Sequence, residues 1–110
     1  MPTRELLTGS TETLLLSLLA GEPMYGYQIV KELERRSGGY FRFKEGTLYP
    51  ALHRLEREGL LEGRWQESPR GLPRRYYSLT TQGRQVLASR QEEWARFAQA
   101  MNLVVSPEAV

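Results

Sequence analysis

The stretch KEGTLYPALHRLEREGLL, residues 44–61, decides the fold of this chain, because it is typical of one amphipathic helix that runs into a strand. With roughly 100° of rotation per residue, the apolar side chains gather on one side of the helix: Leu48, Ala51, Leu52 and Leu55. The other side carries Gly46, Tyr49, Pro50, His53, Arg54 and Arg57. Small residues at the leading end, followed by an aromatic ring, an imidazole and two arginines, suit the major groove of DNA. The stretch is therefore typical of a transcription factor.

Length and composition limit the class of protein. The chain has 110 residues, of which 40% are hydrophobic, and this fits one compact domain with an appended helix. A domain of this size is only modestly stable alone, so oligomerisation would help it. The absence of cysteine excludes disulfides, thiolate metal sites and a cysteine nucleophile. We find no signal-peptide pattern and no apolar run of about 18 residues, and we expect a soluble cytoplasmic protein without a membrane partner.

Charge is distributed unevenly, although the net charge is only +2. Residues 35–84 contain eleven Lys and Arg against five Glu, whereas the rest of the chain contains four against eight. A basic middle with an acidic remainder fits one surface that faces a polyanion. The alternative is an ordinary solvated surface with chance clustering.

Three helices are predicted before residue 61. The first covers residues 11–20 with Ser10 as its N-cap, and its leucines point in nearly every direction, which places it at the centre of the core. The second runs from about residue 25 to 36 and stops at Gly38 and Gly39, which supply positive φ angles. Residues 40–43 alternate weakly and form a candidate short strand. The third helix is the one quoted above.

A hairpin and a long final helix follow. Residues 61–66 and 75–79 are rich in β-formers, and residues 69–73 supply the turn. Thr80 caps a helix that extends at least to Met101. This order predicts a mainly α fold with a small β-hairpin, namely a winged helix-turn-helix plus a C-terminal dimerisation helix. We expect a DNA-binding domain over residues 1–79, and the dimerisation helix with its tail over residues 80–110.

In a helix-turn-helix, the second helix of the pair lies in the major groove with its N-terminal end first. Gly46 and Thr47 permit close approach of the backbone there, and exposed N–H groups favour a phosphate. Tyr49 and His53 lie one turn apart and can reach base edges or phosphates, whereas Pro50 is tolerated because it falls near the first turn. Two alternatives stay open, namely that Tyr49 packs in the core and that His53 is merely exposed to solvent.

The hairpin tip adds positive charge, because Arg70, Arg74 and Arg75 lie within six residues. A wing with such a tip usually meets phosphates or enters the minor groove, and it fixes register more than sequence choice. The alternative is a flexible hairpin that only aids solubility. The aromatic residues of the hairpin are interpreted as sheet and core residues: Trp65, Tyr76 and Tyr77.

Four blocks of the sequence carry a family resemblance. They are PMYGYQI at 23–29, EGTLYPALHRL at 45–55, EGLL at 58–61 and RYYSLT at 75–80. Through them the chain resembles the PadR family of bacterial transcriptional regulators over residues 6–103, and the YGY and GTLYP blocks are specific. Its length is similar to that of the short subfamily, which has one C-terminal helix.

The resemblance implies a homodimeric winged-helix protein, usually a repressor, that binds inverted-repeat operators in double-stranded DNA and is often released by a small planar aromatic effector. It assigns DNA contacts to Tyr49, Pro50 and His53 by motif position, and to Arg70 and Arg74 by analogy. Lys44 stands where the family often has a capping Ser or Thr, and it could instead meet a phosphate. The predicted DNA-binding set is Lys44, Gly46, Thr47, Tyr49, Pro50, His53, Arg54, Arg70, Arg74 and Arg75.

The last helix carries an apolar stripe, which a lone helix would leave uncovered and a second copy of the chain would cover. In multidrug-sensing members that this chain resembles, a tryptophan of this helix stacks on planar ligands, and Trp94 stands in that helix here. The alternative is that Trp94 only packs the dimer interface. The predicted ligand-binding or dimer-interface residues are Leu87, Trp94, Phe97 and Met101, and Val104 continues the stripe.

Two other classes of function compete with a DNA-binding regulator. A winged helix used only for protein contact would bind DNA weakly and without sequence preference. An enzyme has little support, because His53 is the only histidine and no carboxylate pair or phosphate loop has suitable spacing. His53 also lacks partner ligands for a metal. We therefore expect no catalytic residue, no metal and no cofactor.

Overall fold

The computed structural model describes Pro2 and residues 9–107, and in this part of the chain it contains four helices and one β-hairpin. In chain order these are α1 (Ser10–Leu19), α2 (Gly26–Arg36), α3 (Glu45–Arg57), β1 (Leu61–Glu67), β2 (Pro73–Leu79) and α4 (Thr81–Val105). The predicted order of elements is confirmed, and so is the mainly helical fold with a small hairpin. The outer ends of the two predicted domains, and the start of the resemblance at residue 6, lie outside the described residues.

One hydrophobic core joins all these elements, and α1 lies at its centre as predicted. Four leucines of α1 are buried: Leu15, Leu16, Leu18 and Leu19. They pack with apolar residues of every other element, among them Ile29, Leu52, Tyr77 and Leu87. Full burial of one such leucine contributes roughly 1.5–3 kcal/mol to the free energy of unfolding. The core therefore fixes α3 and the hairpin against the same central helix.

The ends of α1 and α2 follow from local chemistry, with one correction. Gly38 and Gly39 have φ of 61° and 86° and end α2 as predicted. At its start, the Tyr25 N–H donates to Gln28 Oε1 at 3.2 Å. The prediction of Ser10 as the N-cap of α1 is wrong, because Ser10 is already helical and Gly9 precedes it with φ 76°. Glycine adopts this positive φ at little steric cost, and the helix starts one residue earlier than expected.

The predicted strand over residues 40–43 is wrong, since this segment belongs to no strand of the described chain. Its alternating aromatic residues serve packing instead: Phe43 is buried, Phe41 lies against the core, and their ring centroids are 6.2 Å apart. The free edge of β2 is taken by Met24, which exchanges two backbone hydrogen bonds with Tyr77 at 3.1 and 2.9 Å.

The hairpin leads directly into α4. Strands β1 and β2 pair antiparallel from Leu61 opposite Leu79 to Glu67 opposite Pro73. Thr80 caps α4 as predicted, because its Oγ1 accepts a hydrogen bond from the Gly83 N–H at 2.9 Å. The first turns of α4 pack on the core, whereas residues 91–97 are all exposed. None of the described helices has both the length and the apolar character needed to cross a bilayer.

Candidate nucleic-acid interface

Helix α3 has the two faces that the sequence predicts. Leu48, Ala51, Leu52 and Leu55 are buried in the core. The opposite face is exposed to solvent, and its residues are Gly46, Thr47, Pro50, His53 and Arg57. Because the core holds one side of α3 so tightly, the other side is presented as a fixed surface.

The leading turn of α3 is open. Lys44 is the N-cap, has extended backbone angles and is exposed, and its carbonyl accepts hydrogen bonds from the N–H groups of Thr47 and Leu48 at 3.0 and 3.3 Å. Helix geometry leaves the first N–H groups without acceptors inside the helix. A Cβ atom on Gly46 would meet no described atom within 4 Å. The fold itself therefore does not need glycine at position 46, and the missing side chain clears space outside the protein.

Pro50 requires a correction, because it is the sixth residue of α3 and lies beyond the first turn. Proline at this depth removes the hydrogen bond that the Gly46 carbonyl would accept and costs roughly 3 kcal/mol relative to alanine. The side chain is exposed, so core packing offsets little of this cost. Like Gly46, Pro50 is poorly explained by the needs of the fold.

Tyr49 lies at the edge between the core and the exposed face. It is half-buried against the core, its hydroxyl donates to Glu45 Oε2 at 3.2 Å, and its ring stacks on His53 with centroids 5.9 Å apart. Burial, followed by the negative charge of Glu45, raises the pKa of the Tyr49 hydroxyl above its usual value. A Cβ atom on Gly26 would lie 2.6 Å from this hydroxyl, so the start of α2 covers the end of the ring. The alternative that Tyr49 packs in the core is thus correct for part of its side chain. Of the two stacked rings, that of His53 is the exposed one.

Arg75 does not lie with the tip arginines. Its Nη2 donates to Glu56 Oε2 of α3 at 2.5 Å, and its guanidinium lies over the rings of Trp65 and Tyr77. The same Glu56 oxygen accepts the Gly63 N–H at 3.1 Å. A Cβ atom on Gly63 would lie 2.6 Å from Arg75 Nε, so glycine makes room for the guanidinium. The structure gives Arg75 a contact between the hairpin and α3 in place of the predicted position at the tip.

The other residues of the hairpin differ in their exposure to solvent. Arg70 is exposed at the tip, and the guanidinium of Arg74 lies 4.3 Å from the ring centroid of Tyr25. Tyr77 is buried as predicted. Trp65 lies in the sheet as predicted, but it is not a core residue, since 64% of its surface is exposed. Trp65 stands opposite Arg75 in the register, and the Arg75 guanidinium lies 5.7 Å from the centroid of its ring.

Arg54 is engaged on the flank of α3. Its Nε donates to Glu12 Oε1 of α1 at 2.7 Å, and Arg90 Nη1 of α4 donates to Glu12 Oε2 at 3.1 Å. Burial alone would raise the pKa of Glu12, but the hydrogen bonds and charges of Arg54 and Arg90 lower it below its usual value. Arg54 is thus turned toward α1, away from the centre of the exposed face of α3.

The stripe of α4 divides into two parts. Leu87 is 5% exposed and belongs to the core of this chain, so it is separated from the rest of the predicted interface set. Trp94, Phe97 and Met101 are exposed, at 58%, 57% and 44%, and the rings of Trp94 and Phe97 lie 5.9 Å apart. Val104 and Val105 are exposed further along the same side of α4, whereas exposed Leu103 lies on the opposite side of the helix.

Sequence reasoning missed the contacts that Glu12 and Glu56 make with arginines of other elements. Glu12 lies 42 residues from Arg54 and 78 from Arg90, and Glu56 lies 19 residues from Arg75. Periodicity is a local signal and cannot pair charges across such separations. The sequence offers one indication of a partner for Glu56. This residue lies beside the apolar face of α3, where a carboxylate is partly removed from water and is stabilised by a cation.

Comparison with known proteins places this architecture in a family. The model of the transcriptional regulator PadR-like family matches residues 15–89. A transcriptional regulator of Mycobacterium tuberculosis is 36% identical, over 84% of this chain and 86% of its own length.

Solved structures agree. A transcriptional regulator from Clostridium thermocellum has a TM-score of 0.85 at 30% identity and covers 96% of this chain and 100% of its own. The Bacillus subtilis PadR in complex with operator DNA has a TM-score of 0.65 at 28% identity, over 81% of this chain and 47% of that longer one. With its helices, hairpin and sequence all matched, this chain belongs to the PadR-like family of transcriptional regulators.

Proposed function

We propose that this regulator is a homodimeric repressor that binds double-stranded DNA with α3 in the major groove. The observation that carries the proposal is the exposed face of α3, where Gly46 and Pro50 are poorly explained by the needs of the fold. A glycine in the leading turn permits the backbone to approach a phosphate or base edge closely. His53, about two turns further on along the same side of the helix, supplies a polar group toward the bases, and exposed Thr47 directly follows Gly46 in the leading turn.

The hairpin acts as the wing of this DNA-binding unit, residues 1–79. Exposed Arg70 contacts phosphates or the minor groove, Arg74 does so from its position on Tyr25, and exposed Lys44 meets a phosphate at the start of α3. Such contacts supply affinity that falls with salt and fix the register, but they do not choose the sequence. The relative from Bacillus subtilis, which was solved with operator DNA, supports DNA as the partner.

The dimer forms through the C-terminal part, residues 80–110. The exposed side chains of Trp94, Phe97 and Met101 make an apolar surface that two-fold pairing with a second copy would cover. A two-fold dimer presents two α3 helices to successive major grooves roughly 34 Å apart, and its operator is therefore an inverted repeat. A planar aromatic effector between the α4 helices, stacked on Trp94 and Phe97, releases the operator because it favours a different spacing of the two α3 helices.

The test is recovery of operators from genomic DNA. Purified protein is mixed with fragmented DNA of its source at about 0.15 M salt, and the bound fragments are sequenced. We expect a short set of sites that share an inverted repeat. His53→Ala should weaken binding to these sites more than binding to random DNA, whereas Arg74→Ala should weaken both. Unenriched DNA that is lost as salt rises would contradict the proposal and favour a winged helix used for protein contact.

A further inference from the structure

Glu12 is the point where three helices meet through charge. Its carboxylate lies in the first turn of α1 and accepts Arg54 of α3 on one oxygen and Arg90 of α4 on the other, at 2.7 and 3.1 Å. The Glu12 side chain is only 17% exposed. Because both arginines keep its pKa low, Glu12 is ionised at neutral pH and the two charge-assisted hydrogen bonds persist.

The position of Arg90 along α4 gives this cluster its importance. Leu87, one turn earlier, is buried in the core, and residues 91–97 are all exposed. Within the part of the chain that the structure describes, Arg90 is the last residue of α4 whose side chain bonds to another helix. The helix runs about 22 Å further, from Arg90 to Val105, at 1.5 Å per residue.

We infer that Glu12 is a specificity-determining positioning residue, which sets the spacing of the two operator half-sites. The inference rests on the proposed dimer: Glu12 fixes the angle between α4, which joins the two copies, and α3, which enters the groove. A tilt of about 10° at Arg90 would move the far end of α4 by about 4 Å, close to the rise of about 3.4 Å per base pair. A small change at Glu12 is thus large enough to change the preferred spacer by one base pair.

Electrostatics alone makes the opposite prediction. Removal of an acidic residue frees Arg54 for phosphate and should strengthen binding to every operator alike. A positioning role instead predicts that the protein loses its preference for one spacer, while each half-site is bound as before.

The experiment uses the full chain and synthetic duplexes that carry the recovered half-sites with spacers varied one base pair at a time. Dissociation constants are compared for the wild type, Glu12→Gln and the control Glu22→Gln, which changes an exposed carboxylate between α1 and α2, outside the proposed dimer surface. We expect the wild type and the control to prefer one spacer by roughly tenfold. For Glu12→Gln this preference should fall below about threefold, with binding to an isolated half-site unchanged within about twofold.

Arg90→Gln, on the other side of the cluster, should give the same result and provides a second variant if Glu12→Gln folds poorly. A wild-type spacer preference in a folded Glu12→Gln or Arg90→Gln protein would overturn the inference and leave the proposed function intact. An equal gain in affinity for all spacers would overturn it as well. A wild type that binds no inverted repeat would instead overturn the proposed function, and with it this inference.

Discussion

Glu56 of α3 accepts a hydrogen bond from Arg75 of β2 at 2.5 Å and from the Gly63 N–H of β1 at 3.1 Å. One carboxylate therefore ties α3, the proposed groove-facing helix, to both strands of the hairpin. Charge-assisted hydrogen bonds of this kind are stronger than neutral ones, and the pair is only about a quarter exposed (28% and 27%). We therefore expect this contact to help to fix the angle between α3 and the hairpin.

We expect Glu56→Ala to weaken operator binding by roughly tenfold, because the wing loses its position relative to α3. The sign is informative, since removal of a negative charge near DNA should by itself strengthen binding. Equilibrium binding to an operator duplex measures the effect. Glu58→Ala is the matched control, because Glu58 is an exposed carboxylate two residues further on. Equal or tighter binding by Glu56→Ala would show that the pair has no role in positioning the wing.

Gly46→Ala should separate stability from DNA binding. A methyl group at this position meets no described atom within 4 Å, and alanine is favoured over glycine inside a helix by roughly 0.5–1 kcal/mol. Denaturant unfolding should therefore show a protein that is at least as stable as the wild type. Operator affinity should nevertheless fall, because the methyl group stands between the helix backbone and the DNA. Unchanged affinity would remove Gly46 from the DNA contact surface.

Trp94 can be observed directly by fluorescence. The chain has two tryptophans, so a Trp65→Phe protein reports on Trp94 alone. Titration with a planar aromatic dye should quench this fluorescence, because stacking requires ring contact. In the wild-type background, Trp94→Ala should reduce dye affinity by about tenfold. Dye binding that survives Trp94→Ala unchanged would assign Trp94 to interface packing alone.

The Glu12 cluster predicts a pH dependence of stability. The folded-state pKa of Glu12 lies below the ordinary value of 4.5, so its contribution is fully present above that value and is lost as the pH falls through the lowered pKa. The difference in unfolding free energy between the wild type and Glu12→Gln should thus be constant near neutral pH and shrink below about pH 4.5. Glu32, whose pKa is lowered to about 2 by hydrogen bonds from Arg35 and Arg36, titrates in both proteins and cancels. A difference that grows on acidification would contradict this assignment.

Local signals in the sequence predicted most of the fold. Leucine spacing predicted the buried face of α3, the Gly38-Gly39 pair predicted the end of α2, and Thr80 predicted the start of α4. These features depend on residues within a turn or two of each other, which periodicity and capping rules describe well. The prediction of a strand over residues 40–43 was wrong because an alternating aromatic pattern is compatible with both a strand and a packed loop.

The candidate site was predicted in part. The side of α3 that faces solvent follows from the side that is buried, so Gly46, Pro50 and His53 could be identified from spacing alone. The contacts of Arg54 and Arg75 could not, because their partners Glu12 and Glu56 come from other elements. An arginine in a basic stretch shows its charge in the sequence, but only the folded chain shows whether that charge is already neutralised.

The burial of Leu87 determines where this molecule can be divided. The predicted boundary at residue 80 separates the proposed DNA-binding part from the proposed dimerisation helix. A chain cut there would lose Gly83 and Leu87, which are buried and complete the core of the first part. A fragment that ends beyond Arg90 keeps those contacts and loses mainly the exposed turns. A fragment that folds alone and binds DNA is therefore expected to include the first turns of α4, which also begin the proposed dimerisation helix.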